Sequence, residues 1–302
     1  MPELILPPKL APGATVGVAA LSGPVDPAAL DAGIARLRSL GYRVRESSNL
    51  RASNGFLAGS DSERVQGYRN LLQDPEISAI FFARGGHGAT RVLSRLDPAE
   101  ARANPKIHLG GSDLTALFAR LLAAGLPAFY GPMVAIEIAR EDGLDWEPVL
   151  RGEPVVEHAF SPGDVVVPGR GEGPLAGGCL SLLASLCGTP DAVRADGSVL
   201  FWEDIGEEIY RIDRMLTQLE RSGTFDRIQA MVVGSVVSRD RADPPENVRE
   251  YLRDRFRGGP FPVAVGLPAG HLRRPRTLPI GATAALILDE SPRLRFGPTP
   301  LA

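Results

Sequence analysis

The chain has 302 residues, 44% of them hydrophobic and 23% charged, with a net charge of -3. It is longer than one core usually grows, so two domains are expected, and its charge balance argues against nucleic acid or an anionic membrane surface as partner. The N-terminal residues lack the basic-then-apolar pattern of a signal peptide, and no run approaches the roughly 18 apolar residues of a membrane span, so a cytoplasmic location is the expectation. Cys179 and Cys187, with no histidine or cysteine partners at zinc-ligand spacing, read as reduced thiols.

The first element, residues 15–21, is an apolar run ending at Ser22-Gly23-Pro24, as a buried strand running into a loop would. A helix follows, with Asp26 as its cap, Pro27 in its first turn and Leu30, Ile34 and Leu37 as its apolar stripe. Residues 42–45 read as a strand, and Ser60-Asp61-Ser62-Glu63 opens the next helix with a capping box. The strand at 77–83 leads directly into the loop Arg84-Gly85-Gly86-His87-Gly88. A further short apolar run ends in Gly110-Gly111-Ser112-Asp113, after which Leu114, Leu117, Phe118, Leu121 and Leu122 recur with helical period. This alternation of strand and helix argues for a parallel sheet covered on both faces, in which ligands bind beyond the carboxyl ends of the strands. The loops at Ser22, Arg84 and Ser112 all fall there.

From about residue 140 to 173 the periodicity fades into proline, glycine and acidic residues, which places a linker at 141–173 between an N-terminal domain, 1–140, and a C-terminal domain, 174–302. The second half carries helical patterns at 180–187 and 209–219 and strand patterns at 198–202, 230–237, 261–266 and 284–288.

Ser112 stands at a strand-to-helix turn, where the first free N–H groups of a helix can meet a developing oxyanion, although the match to G-x-S-x-G is partial because position 114 is leucine. A helix N-cap is the simpler role for Ser112 or Asp113. Glu203 and Asp204 close an apolar strand, His271 follows a glycine just past another strand, and the order Ser, Glu, His is one that serine hydrolases use. The glycine loop after Arg84 forms either an anion nest or a plain tight turn.

These segments resemble, in register, the successive motifs of the LD-carboxypeptidases, serine peptidases of murein recycling whose family includes the microcin C self-immunity peptidases. The resemblance is carried by Arg84-Gly-Gly-His-Gly88, Gly110-Gly-Ser-Asp-Leu-Thr-Ala-Leu117, Tyr130-Gly-Pro-Met133, Gly177-Gly-Cys-Leu-Ser-Leu-Leu183, Phe201-Trp-Glu-Asp204, Tyr210-Arg-Ile-Asp-Arg-Met-Leu216, Gly270-His271 and Leu278-Pro-Ile-Gly281. It implies Ser112 as nucleophile, His271 as general base, Glu203 as its orienting carboxylate, and the backbone N–H groups of Gly86 and Asp113 as oxyanion hole. It implies an α/β fold, a parallel-sheet, flavodoxin-like N-terminal domain joined to a β-rich α+β C-terminal one, with the site between them, no metal or cofactor, and a homodimer. The implied reaction releases a terminal D-residue, D-alanine foremost, from a cytoplasmic muropeptide through an acyl-enzyme. An aminoacyl or peptidyl adenylate is the alternative substrate, and a phosphate- or nucleotide-binding protein without covalent chemistry the alternative class.

The sequence departs from the family pattern at His87, where tyrosine is usual, at Cys179, where asparagine is usual, and at Trp202, where leucine is common. His87 and Trp202 are thereby candidates for lining the substrate pocket. Arg84 is a candidate receptor for the substrate's terminal carboxylate, with an internal ion pair that fixes its loop as the competing role.

Overall fold

A computed structural model describes residues 2–237 and 245–302. The first sheet has six strands, and its first five are β1 (Thr15–Ala19), β2 (Arg43–Glu46), β3 (Ile77–Phe82), β4 (Ile107–Gly110) and β5 (Ala128–Tyr130). They run parallel in the order β2-β1-β3-β4-β5, the flavodoxin-like arrangement. The helix Pro27–Ser39 starts with the Asp26 side chain accepting from the Ala29 N–H, and the helix Asp61–Gln73 starts with both halves of the capping box between Ser60 and Glu63. Side chains alternate across the strands, so Phe81 packs with Leu30, Ile34 and Leu37 on one face, while Phe82 packs with Val65, Leu71, Leu117 and Phe118 on the other.

The second sheet gathers β6 (His158–Ala159), β7 (Val165–Val167), β8 (Gly169–Cys179), β9 (Val199–Ile205), β10 (Ala230–Val237), β11 (Val263–Ala264), β13 (Thr283–Leu288) and β14 (Arg293–Phe296). Here β8, β9, β10 and β11 run parallel, with antiparallel partners on either side. The helix Ile209–Arg221 covers its outer face through Ile212, Leu216 and Leu219. Between the two sheets lies a shared core, in which Leu117 and Phe118 of the helix Thr115–Ala123 meet Leu175, Phe201 and Val232.

The sheets do not follow the expected linear division at two points. Residues 141–173 hold the helix Trp146–Leu150, β6, β7 and the start of β8, so most of this proline- and glycine-rich stretch is built into structure. These strands of two or three residues are too short to show a period in sequence. Conversely, β12 (Leu278–Ile280), from the expected C-terminal domain, returns to pair antiparallel with β5 and closes the edge of the first sheet.

Candidate active site

β4 ends at Gly110, Gly111 continues extended, and the chain then turns at Ser112 into a short 3-10 turn that runs on into the helix Thr115–Ala123. Ser112 has φ +57°, the one non-glycine residue in the left-handed region among the described residues. Such a conformation costs roughly 1–3 kcal/mol and persists only where the surroundings hold it. They do so here. The Ser112 N–H donates to the Tyr130 hydroxyl at 2.8 Å, and the Ser112 carbonyl accepts from the Thr115 hydroxyl at 2.7 Å. Thr115 Oγ1 also accepts from the Cys179 N–H at 2.9 Å, which ties the turn to the end of β8. A Cβ on Gly178 would come 2.4 Å from that Oγ1, so the approach requires glycine.

The glycine loop lies against this turn. A Cβ on Gly85 would stand 2.7 Å from Ser112 Cβ and 3.4 Å from the Asp113 nitrogen. Gly86 is exposed, and the N–H groups of Gly86 and Asp113 have no hydrogen-bond partner among the described residues. The Asp113 side chain turns inward, almost wholly buried, and Oδ2 accepts from the Ser22 hydroxyl at 2.6 Å and the Ala89 N–H at 2.7 Å. Burial raises its pKa, against the lowering effect of those two donors. One carboxylate thus joins the loops that follow β1, β3 and β4. Arg64, fully buried, supports the same region from behind by donating to the carbonyls of Leu21 and Gly88 and, at 2.6 Å, to Asp61.

The second sheet brings Glu203 and His271. In β9, Phe201 and Glu203 face the shared core and Tyr130, whereas Trp202 and Asp204 face the other way. Glu203 is fully buried; Oε1 accepts from the Tyr130 hydroxyl at 2.7 Å, and Oε2 accepts from His271 Nδ1 at 2.7 Å and from the His271 N–H at 3.0 Å. A Cβ on Gly270 would lie 2.3 Å from Oε2, and Gly270 has φ +105°, so the residue before His271 is constrained to glycine twice over. Because a carboxylate can only accept, Nδ1 carries the proton in the neutral ring, and Nε2 is left as an acceptor. Burial lowers the His271 pKa, but hydrogen bonding and charge from Glu203 outweigh it and raise the value above that of a free imidazole.

Glu203 and His271 are therefore joined directly, and Ser112 is joined to Glu203 through Tyr130. Among the described residues the Ser112 hydroxyl makes no hydrogen bond to the His271 ring, a spacing that apo sites often leave loose. The other histidines lie elsewhere. His108 is buried between the Lys106 carbonyl and Tyr68, and burial pushes its pKa down to about 4; His158 packs on Phe160; His87 is exposed, edge-on to Phe56 at 5.5 Å between ring centroids.

One expected pocket residue is placed differently. Trp202 does not line a pocket: it is fully buried in the core beneath the helix Ile209–Arg221, with Nε1 donating to Met231 Sδ at 3.3 Å, because strand alternation turns it away from Glu203. Arg84 donates from Nη1 to the Pro24 carbonyl at 3.0 Å, while its buried Nε has no hydrogen-bond partner among the described residues. Asp204 caps the helix Leu180–Leu186 by accepting from the Ser181 N–H at 2.7 Å, and burial raises its pKa to about 6. Cys179, a free thiol, is buried nearby and its pKa is pushed well up by burial; Cys187 is free and half-buried. Tyr130, Phe56 and Arg64 had no assigned part in the sequence reading; Tyr130 was visible in a motif, while the others carried no signal there.

Family models for the LD-carboxypeptidase N-terminal and C-terminal domains match residues 16–131 and 172–286. The chain belongs to this family and is a serine hydrolase of the carboxypeptidase kind. It is 36% identical to a Bacillus subtilis protein named "Probable murein peptide carboxypeptidase", over 93% of this chain and 91% of that one. The muramoyltetrapeptide carboxypeptidase of Oxalobacter formigenes superposes with a TM-score of 0.84 at 30% identity, covering 94% and 98% of the two chains. The microcin C7 self-immunity protein MccF in complex with aspartyl sulfamoyl adenosine shares the fold, with a TM-score of 0.88 at 24% identity over 99% and 100%. No described helix is long and apolar enough to cross a membrane.

Proposed function

We propose that the chain is a cytoplasmic LD-carboxypeptidase that removes a terminal D-amino acid, D-alanine foremost, from a murein peptide, with Ser112 as nucleophile, His271 as general base and Glu203 as the carboxylate that orients it. The observation that carries this reading is the left-handed Ser112 turn linked through the Tyr130 hydroxyl to the 2.7 Å Glu203–His271 pair. His271 Nε2 takes the Ser112 hydroxyl proton as Oγ bonds to the scissile carbonyl carbon, and the N–H groups of Gly86 and Asp113 receive the oxyanion. The carbon–nitrogen bond then breaks as the same proton passes to the leaving amine, and a water molecule repeats the sequence to release Ser112. Trp202, an aromatic that could have stacked on the base of an adenylate, is buried in the core and takes no part in substrate binding. A homodimer, as the family resemblance implies, belongs to the same reading and is checked by light scattering.

The test is a panel of L,D-peptides and adenylate analogues followed by mass spectrometry. Wild-type enzyme releases the terminal D-residue, and Ser112→Ala lowers kcat by roughly a millionfold while keeping substrate binding. Peptidase activity retained by Ser112→Ala would overturn the serine mechanism.

A further inference from the structure

A cavity of about 300 Å³ opens directly beside His271, lined also by Ile136, Glu137, Arg140, Glu141, Ile205, Leu272 and Arg273. Ser112 and the glycine loop are not part of its wall. Two of the lining residues, Ile136 and Glu137, lie on the π-helical turn Val134–Ile138. Glu137, more than nine-tenths buried, accepts from the Met133 N–H at 2.8 Å through Oε2, and burial raises its pKa against the influence of His271 and Arg140.

The arginines at this cavity differ in what they already hold. Arg273 and Arg274 both pair with Glu141, Arg274 at 3.1 Å. Arg140 is exposed and has no carboxylate within ion-pair distance among the described residues. A guanidinium is the group best matched to a free carboxylate, because its fork of donors meets both oxygens.

The chemistry fixes what must lie beside His271. The proton it carries goes to the amine nitrogen of the residue being released, so that residue sits on the histidine side of the scissile bond. We infer that this cavity holds the released terminal residue, with Arg140 receiving its carboxylate and Glu137 facing its amino group. This rests on the carboxypeptidase reading above. It assigns to Arg140 the part that the sequence suggested for Arg84, because Arg140 lines the cavity beside His271 and Arg84 does not. The ligand class is a small zwitterionic amino acid and the peptide ends that generate it. Ile136, Ile205 and Leu272 give the space between the charges an apolar lining suited to an uncharged side chain.

The experiment compares an N-blocked L,D-peptide ending in D-alanine as free acid and as C-terminal amide. Wild type cleaves the acid and handles the amide poorly. Arg140→Ala raises KM for the acid by roughly 10–100-fold, the loss expected for a charged hydrogen-bonded pair, with kcat little changed and the amide unaffected. Arg140→Lys should recover part of the loss, and free D-alanine should inhibit wild type, and both Arg140→Ala and Glu137→Gln more weakly. Equilibrium binding of both peptides to Ser112→Ala, with and without Arg140→Ala, reads the same preference without catalysis. If wild type cuts the acid and Arg140→Ala loses nothing, or loses equally on acid and amide, the cavity assignment falls and the carboxypeptidase reading stands. If wild type cuts neither peptide while Ser112→Ala still prefers the acid through Arg140, the carboxylate site stands and the reaction must be reassigned. Equal binding of acid and amide to Ser112→Ala overturns the site.

Discussion

The two sides of the site are held by different means. On the nucleophile side, the geometry is set by backbone: a left-handed Ser112, glycines that let the Arg84–Gly88 loop approach within van der Waals distance, and an Asp113 carboxylate that joins three strand-end loops. On the base side it is set by one buried charge, since Glu203 accepts from Tyr130, from the His271 ring and from the His271 backbone. The first side is held by backbone shape together with the Asp113 carboxylate behind the turn, and the second by the Glu203 carboxylate in direct contact with the His271 ring. Perturbing them separately should therefore give different signatures, in geometry for one and in charge for the other.

The charge side has the larger expected effect. Glu203→Gln keeps the shape but replaces a group that only accepts with an amide that can present either an acceptor or a donor to Nδ1. The imidazolium formed during catalysis loses its counter-charge and the tautomer is no longer fixed, so kcat should fall by about a thousand- to ten-thousand-fold. The pH dependence follows from the raised His271 pKa. His271 must be neutral to accept a proton, so wild-type kcat/KM should rise with pH through an apparent pKa above the ordinary imidazole value of about 6.5. In Glu203→Gln the largest raising influence is gone, leaving the weaker ones of Asp204 and Glu137 against burial, and the acidic limb should move below that of wild type. A pH profile of residual activity checks this, and an unmoved limb would detach Glu203 from His271.

The backbone side should respond to volume. Gly85→Ala places a methyl 2.7 Å from Ser112 Cβ and 3.0 Å from Oγ, at a position whose own backbone is not in the left-handed region. Ser112 Cβ moves only with its own backbone, so the strained turn must shift as well and some stability should be lost with it. A displacement of the nucleophile by about 1 Å is worth roughly a hundredfold in rate, so kcat should fall by that order with the pH profile unmoved. A drop in activity accompanied by a shifted acidic limb would mean that the glycine loop also governs His271.

The same contrast explains what the sequence disclosed. The nucleophile side lies on consecutive βα units, where apolar runs, caps and glycines follow one another locally, so Asp26, the Ser60–Glu63 capping box and the turn at Ser112 were all legible. The base side is assembled from β9 and the stretch between β11 and β12, and no local pattern says that residues 68 apart will touch. Family resemblance supplied that pairing. Trp202 was misplaced because its neighbour's role was read without the alternation of the strand: if Glu203 faces the cleft, Trp202 must face the core. Arg140 gave no signal, since its relevance arises from the partners that its neighbours Arg273 and Arg274 already have.

The smallest effect belongs to the residue that joins the two sides. Tyr130, at the end of β5, is buried, and burial together with the nearby Glu203 charge keeps its phenol protonated by raising its pKa. It accepts from the Ser112 N–H and donates to Glu203 Oε1, so it touches both halves without reaching the reacting atoms. Tyr130→Phe removes both bonds and preserves the ring, which packs on Phe201 at 5.5 Å between centroids. Two groups are left short of a partner, at a cost of about 1–3 kcal/mol each when no water replaces the phenol, and part of it appears as lost stability. The rate should fall only about tenfold, because the Glu203–His271 pair and the oxyanion donors remain. The informative readout is the acidic limb. With its second donor gone, the Glu203 carboxylate acts more strongly on His271, the imidazolium is favoured, and the limb moves to higher pH, opposite to Glu203→Gln. If stability falls and the limb stays in place, Tyr130 serves packing alone and the two sides of the site are independent.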